Sequence, residues 1–161
     1  YFNTIFQMGE REFLKRLKFS GGDGYIIPDL PIEEAVNLHS MSKDFDLDPI
    51  ILMTQTTSEE RLKKLGRSCS GMVYAVARKG VTGSKTIMDD SIESLISRCR
   101  KYTDVPLGVG FGISNRADLD FLKGKADVAI IGTAALKAWE DSKQAGYRQF
   151  FESLQLSVFL I

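Results

Sequence analysis

Two glycine-rich stretches have the composition of a phosphate site. Residues 108–114 (GVGFGIS) and 132–134 (GTA) each follow an apolar run and lead into a helical pattern. Glycine lets backbone N–H groups approach an anion closely, and the dipole of a helix N-terminus favours negative charge. The pattern predicts a phosphate site made mainly by backbone N–H groups. The alternative is a pair of tight packing turns that hold no ligand.

A third stretch, residues 77–90, is a connection of about 14 residues between an apolar run and a helical pattern. Its cations, hydroxyl and glycines are Arg78, Lys79, Gly80, Thr82 and Gly83. Long loops after strands often close over a substrate, so we interpret it as a closing loop in which Thr82 bonds to a catalytic partner. A lysine can instead form a Schiff base with a carbonyl substrate. Because Lys79 lies in the loop and not in a strand, a solvated ammonium is favoured.

Two other chemistries are disfavoured by spacing. The glycines at 108–112 follow G-x-G-x-G and not the dinucleotide fingerprint G-x-G-x-x-G, and Asp127 begins the next apolar run where the fingerprint needs an acid at its end. His39 is the only histidine and lies in a helical pattern. A Ser-His-Asp triad or a histidine metal site would depend on it alone, so we predict no bound metal.

Asp29 stands at the apex of a stiff turn, Pro28-Asp29-Leu30-Pro31. Its carboxylate can accept a hydrogen bond from a substrate N–H. The alternative is that Asp29 organises its own turn or caps a helix that begins near Ile32.

Alternating strand and helix patterns place these stretches in an α/β fold. Apolar runs predict strands at 24–27, 49–53, 71–76, 105–109 and 127–131. Helical patterns cover 10–19, 33–45, 58–68, 91–102, 115–123, 134–139 and a segment from 143, with Thr57 and Ser114 as predicted caps. Such alternation indicates a parallel sheet, either an open doubly wound sheet or a partial TIM (β/α)8 barrel of about five strands, the fourth to the eighth.

Composition limits the class of protein. The chain has 161 residues, 43% of them hydrophobic, and 21 Lys and Arg balance 21 Asp and Glu. These values indicate one globular domain and disfavour nucleic acid and anionic membranes as partners. Two cysteines without a CxxC spacing favour a reducing, cytoplasmic location.

Five motifs stand in a fixed order along the chain. They are YFN at 1–3, GYIIPDLP at 24–31, RKGVTG at 78–83, GFGIS at 110–114 and GT at 132–133. Together they resemble the tryptophan synthase alpha chain family, over motifs to about residue 139 and a last helix to about 155. The resemblance implies a TIM barrel, of which residues 1–161 form a single incomplete domain.

The resemblance also implies an activity and partners. Members of that family are lyases of tryptophan biosynthesis. They cleave indole-3-glycerol phosphate to indole and glyceraldehyde 3-phosphate by a retro-aldol reaction and need no cofactor of their own. They assemble with a beta chain, which carries pyridoxal phosphate, into an alpha-beta-beta-alpha heterotetramer.

Roles follow residue by residue from the resemblance. The substrate pocket would be lined by Tyr1, Ile26, Leu52, Tyr74, Phe111 and Ile130. The phosphate would be held by Gly83, Gly112, Gly132 and Thr133, and the closing loop would include Arg78, Lys79, Gly80 and Val81, with Thr82 assisting its closure. The beta chain would contact Asn3, Pro28, Asp29, Leu30 and Pro31.

The sequence departs from the family in one serious respect. The family's catalytic glutamate and its partner aspartate, in a Phe-Ser-Asp-Pro context, belong to strands and loops upstream of these motifs, so no catalytic carboxylate is assigned here. General acids and bases each supply roughly 10²–10⁴ in rate, so we expect this chain alone to be inactive. With open sheet edges we also expect it to aggregate. Milder departures are Gly22, Ala77 and Thr133, where the family has a branched residue, Ser and Ser.

Two alternatives remain on sequence grounds. One is another phosphate-binding barrel, such as an indole-glycerol-phosphate synthase or a ribulose-phosphate epimerase. The other is a non-catalytic remnant that binds phosphate or a beta chain.

Overall fold

A computed structural model describes residues 1–77, 90–110 and 112–154. Its helices are α1 (Phe2–Met8), α2 (Glu10–Phe19), α3 (Val36–Asp44), α4 (Glu59–Gly66), α5 (Asp90–Arg100), α6 (Arg116–Leu122) and α7 (Thr133–Ser153). Its strands are β1 (Gly24–Tyr25), β2 (Asp48–Pro49), β3 (Ile51–Thr54), β4 (Val73–Val76), β5 (Leu107–Gly110) and β6 (Val128–Ile130). Among the described helices, none is long and apolar enough to cross a membrane.

The main sheet has the strand order of a barrel. Strands β3, β4, β5 and β6 are all parallel and pair in chain order, while β1 and β2 form a separate parallel pair. A doubly wound sheet reverses its strand order at a switch point, whereas a barrel adds each strand beside the previous one. The observed order therefore selects the barrel from the two predicted architectures.

The helices cover one face of this sheet. Met53, Val73, Ala75, Leu107 and Val109 point towards that face and are buried against apolar residues of α4, α5 and α6. The burial alternates along β3 and β4, and the intervening residues are only half-buried. One helix-covered face and one inner face are the arrangement of a barrel wall.

The predicted strand at 49–53 is in fact two strands. Asp48 and Pro49 pair with β1, whereas the residues after Ile50 pair with β4. β1 is only two residues long, and its ladder ends where Tyr25 pairs with Pro49. The described residues therefore form six strands, not the five predicted, and the predicted strand 24–27 stops at Tyr25.

Most predicted helices form, with corrections at their ends. Ser58, not Thr57, caps α4 by accepting the Arg61 N–H at 3.3 Å. Asn115, not Ser114, caps α6, and α3 begins three residues later than predicted, at Val36. The two predicted helices at 134–139 and from 143 are joined in α7, which is non-helical at Ser142 and Lys143 between them. Helix α1 had no counterpart among the predictions.

A second, smaller core lies beside the first pair of strands. Leu14 of α2, Leu38 of α3, Tyr25 of β1 and Leu47 are buried together. The Tyr25 hydroxyl shares a 2.6 Å hydrogen bond with the buried Ser42 hydroxyl, so both polar groups are satisfied. This cluster anchors β1 and the 28–31 turn that follows it.

Candidate active site at the carboxyl edge of the sheet

The inner face of the sheet gathers three of the predicted pocket residues. Leu52 pairs in register with Tyr74, and Ile130 pairs with Gly110 of the neighbouring strand. Because side chains alternate along each strand, Leu52, Tyr74 and Ile130 all lie on the face that the helices leave uncovered. They form an apolar inner surface: Ile130 ends β6, and Leu52 and Tyr74 lie two residues before the carboxyl ends of β3 and β4. Barrel proteins bind ligands at the carboxyl ends of their strands.

Two glycines of β5 make room for this surface. A Cβ on Gly110 would lie 2.1 Å from the Tyr74 hydroxyl, and a Cβ on Gly108 would lie 2.9 Å from the Ile130 Cδ1. Tyr74 and Ile130 therefore lie across β5 from its two sides. Burial raises the pKa of the Tyr74 phenol.

The turns after β5 and β6 lie at the same edge. Gly112 has a φ of 92°, a conformation that favours glycine, and Gly132 immediately precedes α7. Among the described residues no side chain caps α7, and a Cβ on Gly132 would meet nothing within 4 Å. The first N–H groups of a helix lack intrahelical partners, and such groups at a helix N-terminus suit an anion.

The N-terminus of α6 differs from the sequence prediction. The Asp118 carboxylate is only 8% exposed and accepts hydrogen bonds from the Ser114 N–H at 2.8 Å, the Ser114 hydroxyl at 3.2 Å and the Asn115 N–H at 3.2 Å. The glycine-rich turn before α6 was expected to expose N–H groups to a phosphate, with Ser114 as the helix cap. Because an acid at the third helical position closes a capping box, the expected open terminus exists at α7 and not at α6.

Asp29 has a role that neither sequence interpretation anticipated. Both of its carboxylate oxygens accept the Phe2 N–H, at 2.9 and 3.0 Å. This contact fixes the 28–31 turn against the start of α1 and brings the turn close to Asn3. Asp29 does not cap a helix near Ile32, because α3 begins later.

A cleft of about 400 Å³ separates this turn from the main sheet. Its lining includes Leu52, Thr54 and Val76 of the sheet, and Pro28 and Leu30 of the turn. The pocket-wall residue Leu52 and the predicted interface turn therefore border one space. Of the other two predicted pocket residues in the described ranges, Ile26 is 40% exposed after β1 and Tyr1 is 82% exposed before α1. Their place in the pocket stays a prediction.

Several predicted site residues lie outside the described residues. They are Arg78, Lys79, Gly80, Val81, Thr82, Gly83 and Phe111. The closing loop, its threonine, one phosphate glycine and the Schiff-base alternative therefore stay predictions.

Sequence reasoning missed Gln55 and Arg98. The Gln55 amide donates to the Ala77 carbonyl and to the Ser91 hydroxyl, both at 3.0 Å. Arg98 of α5 donates to the carbonyl of Gln55 at 3.0 Å and to that of Thr57. A polar residue directly after a strand was the available signal for Gln55; nothing in the spacing marked Arg98.

The histidine and the two cysteines of the chain show no sign of a metal site within the described residues. His39 lies on α3 with its ring centroid 6.3 Å from that of Tyr25, and burial lowers its pKa. Cys69 and Cys99 are both free thiols. Over residues 1–77, 90–110 and 112–154, no three His, Cys, Asp or Glu side chains come together as a metal site would require.

Parallel strands in chain order, with helices packed on one face, define a TIM-barrel-type α/β protein. The model of the family described as "Tryptophan synthase alpha chain" matches residues 1–158, and the chain belongs to this family. The family resemblance and the partial barrel predicted from the sequence are thereby confirmed.

Two named relatives show the extent of the similarity. The chain is 45% identical over 140 residues to the tryptophan synthase alpha chain of Methanocaldococcus jannaschii. This alignment covers 87% of this chain and 50% of the relative. It is 37% identical over 155 residues to the tryptophan synthase alpha chain of Desulfotalea psychrophila. That alignment covers 96% of this chain and 61% of the relative. The chain thus spans about half to three-fifths of the length of these relatives.

Solved structures give the same result. The fold matches a chain of the tryptophan synthase a2b2 complex from Pyrococcus furiosus with a TM-score of 0.85 and 29% identity, covering 96% of this chain and 64% of that one. It matches a chain of Mycobacterium tuberculosis tryptophan synthase with a TM-score of 0.86 and 31% identity, covering 96% of this chain and 58% of that one.

Proposed function

We propose that the whole protein containing these residues is a carbon–carbon lyase that cleaves indole-3-glycerol phosphate to indole and glyceraldehyde 3-phosphate. Membership of the family supports the reaction. The observation that carries it is the pairing of an apolar inner face at Tyr74 and Ile130 with an uncapped helix start at Gly132, at the same edge of the sheet. A substrate with an aromatic end and a phosphate end matches that pairing.

The described residues would bind the two ends of this substrate. The N-terminus of α7, with the Thr133 hydroxyl and Gly112, would hold the phosphate, and a helix terminus contributes about 0.3–1 kcal/mol to anion binding, up to about 2 when partly buried. The indole ring would lie against Leu52, Tyr74 and Ile130.

The reaction itself needs one bond broken and one proton moved. The bond between indole C3 and the adjacent glycerol carbon breaks, the hydroxyl on that carbon loses its proton as it becomes the aldehyde carbonyl, and indole C3 gains a proton. The acid and base would be the glutamate and aspartate expected from the family. The residues described here bind and orient the substrate, and they need no cofactor to do so.

The proposed partner is a beta chain that carries pyridoxal phosphate. The Asp29–Phe2 contact supports this proposal because it joins Asn3 and the exposed prolines of the 28–31 turn into one surface. This surface borders the cleft that leads to Leu52. The proposed location is the cytoplasm, in keeping with two free thiols.

Gly132→Ala in the full-length protein tests the proposal. Among the described residues the Cβ would meet no atom within 4 Å, so the melting temperature should stay unchanged. It would occupy the space assigned to the phosphate, so KM for indole-3-glycerol phosphate should rise about tenfold or more, equivalent to about 1.4 kcal/mol. Inhibition by inorganic phosphate should weaken in parallel.

One result would reject the proposed function: a folded wild-type protein that, with its beta chain, leaves indole-3-glycerol phosphate intact. Phosphate or beta-chain binding without turnover would then favour the non-catalytic alternative. A Gly132→Ala variant with wild-type KM would reject the phosphate position proposed at the N-terminus of α7.

A further inference from the structure

We propose that Gln55 is a positioning residue that fixes both ends of the connection between β4 and α5 relative to the carboxyl edge of the sheet. The tether itself stands on contacts between described residues. Its consequence for substrate binding rests on the proposed function, because the sequence assigns phosphate contact and loop closure to this connection.

One amide group makes the tether. The Gln55 Nε2 donates to the Ala77 carbonyl and to the Ser91 hydroxyl, both at 3.0 Å. A carboxamide NH2 has two hydrogens, so each acceptor can receive its own. Ala77 directly follows β4, and Ser91 is the second residue of α5. The side chain therefore joins the last described residue before the connection to the first turn after it.

The Ala77 end is further fixed to the sheet. Ala77 is buried, and its N–H donates to the Gly110 carbonyl at 3.2 Å. Gly110 is the residue over which Tyr74 packs. The amide of Gln55 therefore acts on the same part of the edge as the proposed indole surface.

Gln55 is itself held on a rigid base. Arg98 is only 23% exposed and donates to the carbonyls of Gln55 and Thr57 and, at 2.5 Å, to the Glu59 carboxylate. The Thr54 N–H donates to the Thr57 hydroxyl at 3.1 Å. Arg98 of α5 thus holds the turn that carries Gln55. The Gln55 side chain then connects this turn with the end of β4 and the start of α5.

The expected consequence concerns binding more than chemistry. Groups held in place before the substrate arrives lose less conformational entropy when it binds. Loss of the tether should therefore raise KM for indole-3-glycerol phosphate about 3- to 10-fold, the range expected for one or two hydrogen bonds, and change kcat less.

The experiment compares Gln55→Ala and Gln55→Glu with the wild-type full-length protein. At pH 8 the glutamate variant keeps the length of the side chain but has no N–H to donate. The matched control is Gln149→Ala, which removes an exposed amide on α7. The measurements are steady-state KM and kcat, melting temperature, and hydrogen exchange by mass spectrometry in peptides covering 74–77 and 90–96, with 107–122 as reference.

The tether predicts faster exchange in the 90–96 peptide for both Gln55 variants, unchanged exchange in 107–122, and the rise in KM. The control should match the wild type. Wild-type exchange at 90–96, or an equal increase in the 107–122 peptide with a lower melting temperature, would overturn the proposal. If the wild type does not cleave the substrate, the proposed function fails, and the exchange pattern alone still decides whether Gln55 holds the connection.

Discussion

The hydroxyl of Tyr74 lies so close to the backbone of Gly110 that a Cβ at residue 110 would meet it at 2.1 Å. In register Tyr74 is opposite Gly108, and Gly110 is two residues nearer the carboxyl edge. The Tyr74 side chain therefore leans diagonally across β5 towards the site. A glycine at 110 is a condition of this orientation, and the aromatic surface of the site depends on it.

Replacement of this glycine gives the first prediction. Gly110→Ala should displace Tyr74 and destabilise the protein by about 1–3 kcal/mol, the usual cost of overpacking. Urea unfolding measures the loss, and titration with indole should show weaker binding.

The matched control for this prediction is a double-mutant cycle. Tyr74→Ala in the Gly110→Ala background should recover part of the lost stability, because the clash is removed with the ring. If the double variant loses the sum of the two single losses, the proposed contact is not the cause.

The barrel and its helices were predictable because their signals are local. Apolar runs and 3.6-residue periodicity lie within ten or so residues, and helices α2, α4, α5 and α6 formed close to their predicted positions. The glycine turns after β5 and β6 were found for the same reason. The difference in capping between α6 and α7 was not predicted. The periodic pattern does not show whether an acid of the helix itself, here Asp118, accepts hydrogen bonds from the N–H groups at its start.

The remaining features depend on contacts distant in sequence. Asp29 meets Phe2 across 27 residues, and Gln55 meets Ser91 across 36. At Ile50 one apolar run is divided between two strands: the residues before it pair with β1, and those after it pair with β4. Such choices are made by tertiary packing, so strand propensity alone predicted one continuous strand.

The capping box of α6 supplies a second prediction. Asp118→Ala should lower the free energy of unfolding by about 1–2 kcal/mol, because three donors at Ser114 and Asn115 lose their acceptor. Asp120→Ala on the same helix is the control, since its exposed pair with Arg116 should contribute only about 0–1 kcal/mol. Urea denaturation compares them. Equal losses would contradict the role assigned to Asp118.

Asp127 gives a pH-dependent prediction. A hydrogen bond from the Leu107 N–H at 2.7 Å, and then one from Arg100, hold the pKa of its carboxyl below the ordinary value. A depressed folded-state pKa adds stability above the unfolded pKa of about 3.9, and this stability is lost as the pH falls through the folded pKa. Asp127→Asn should therefore lower the melting temperature at pH 7.

The pH series contains its own control. The difference in melting temperature between wild type and Asp127→Asn should shrink as the pH falls below about 4. Asp104→Asn, at an exposed position two residues after Tyr102, should follow the wild type throughout. A difference for Asp127→Asn that stays constant down to pH 2 would mean that the carboxylate charge is not what stabilises the start of β5.

The two cysteines should differ in reactivity. Burial raises the pKa of the Cys99 thiol to about 11, and its side chain lies fully inside the core under α5. Cys69 is partly exposed, and burial raises the pKa of its thiol as well. Since the thiolate is the nucleophile, iodoacetamide at pH 8 should label Cys69 at least about tenfold faster than Cys99.

Mass spectrometry of a Cys69→Ser variant isolates the slower thiol. Its labelling should stay slow in buffer and accelerate with urea in step with the loss of helical circular dichroism, because Cys99 reacts only when the core between α5 and the sheet opens. Rapid labelling of Cys99 without urea would show that this core opens far more often than its burial implies. The packing that supports β4 and β5, and with them the Tyr74–Gly110 contact, would then be much weaker than described.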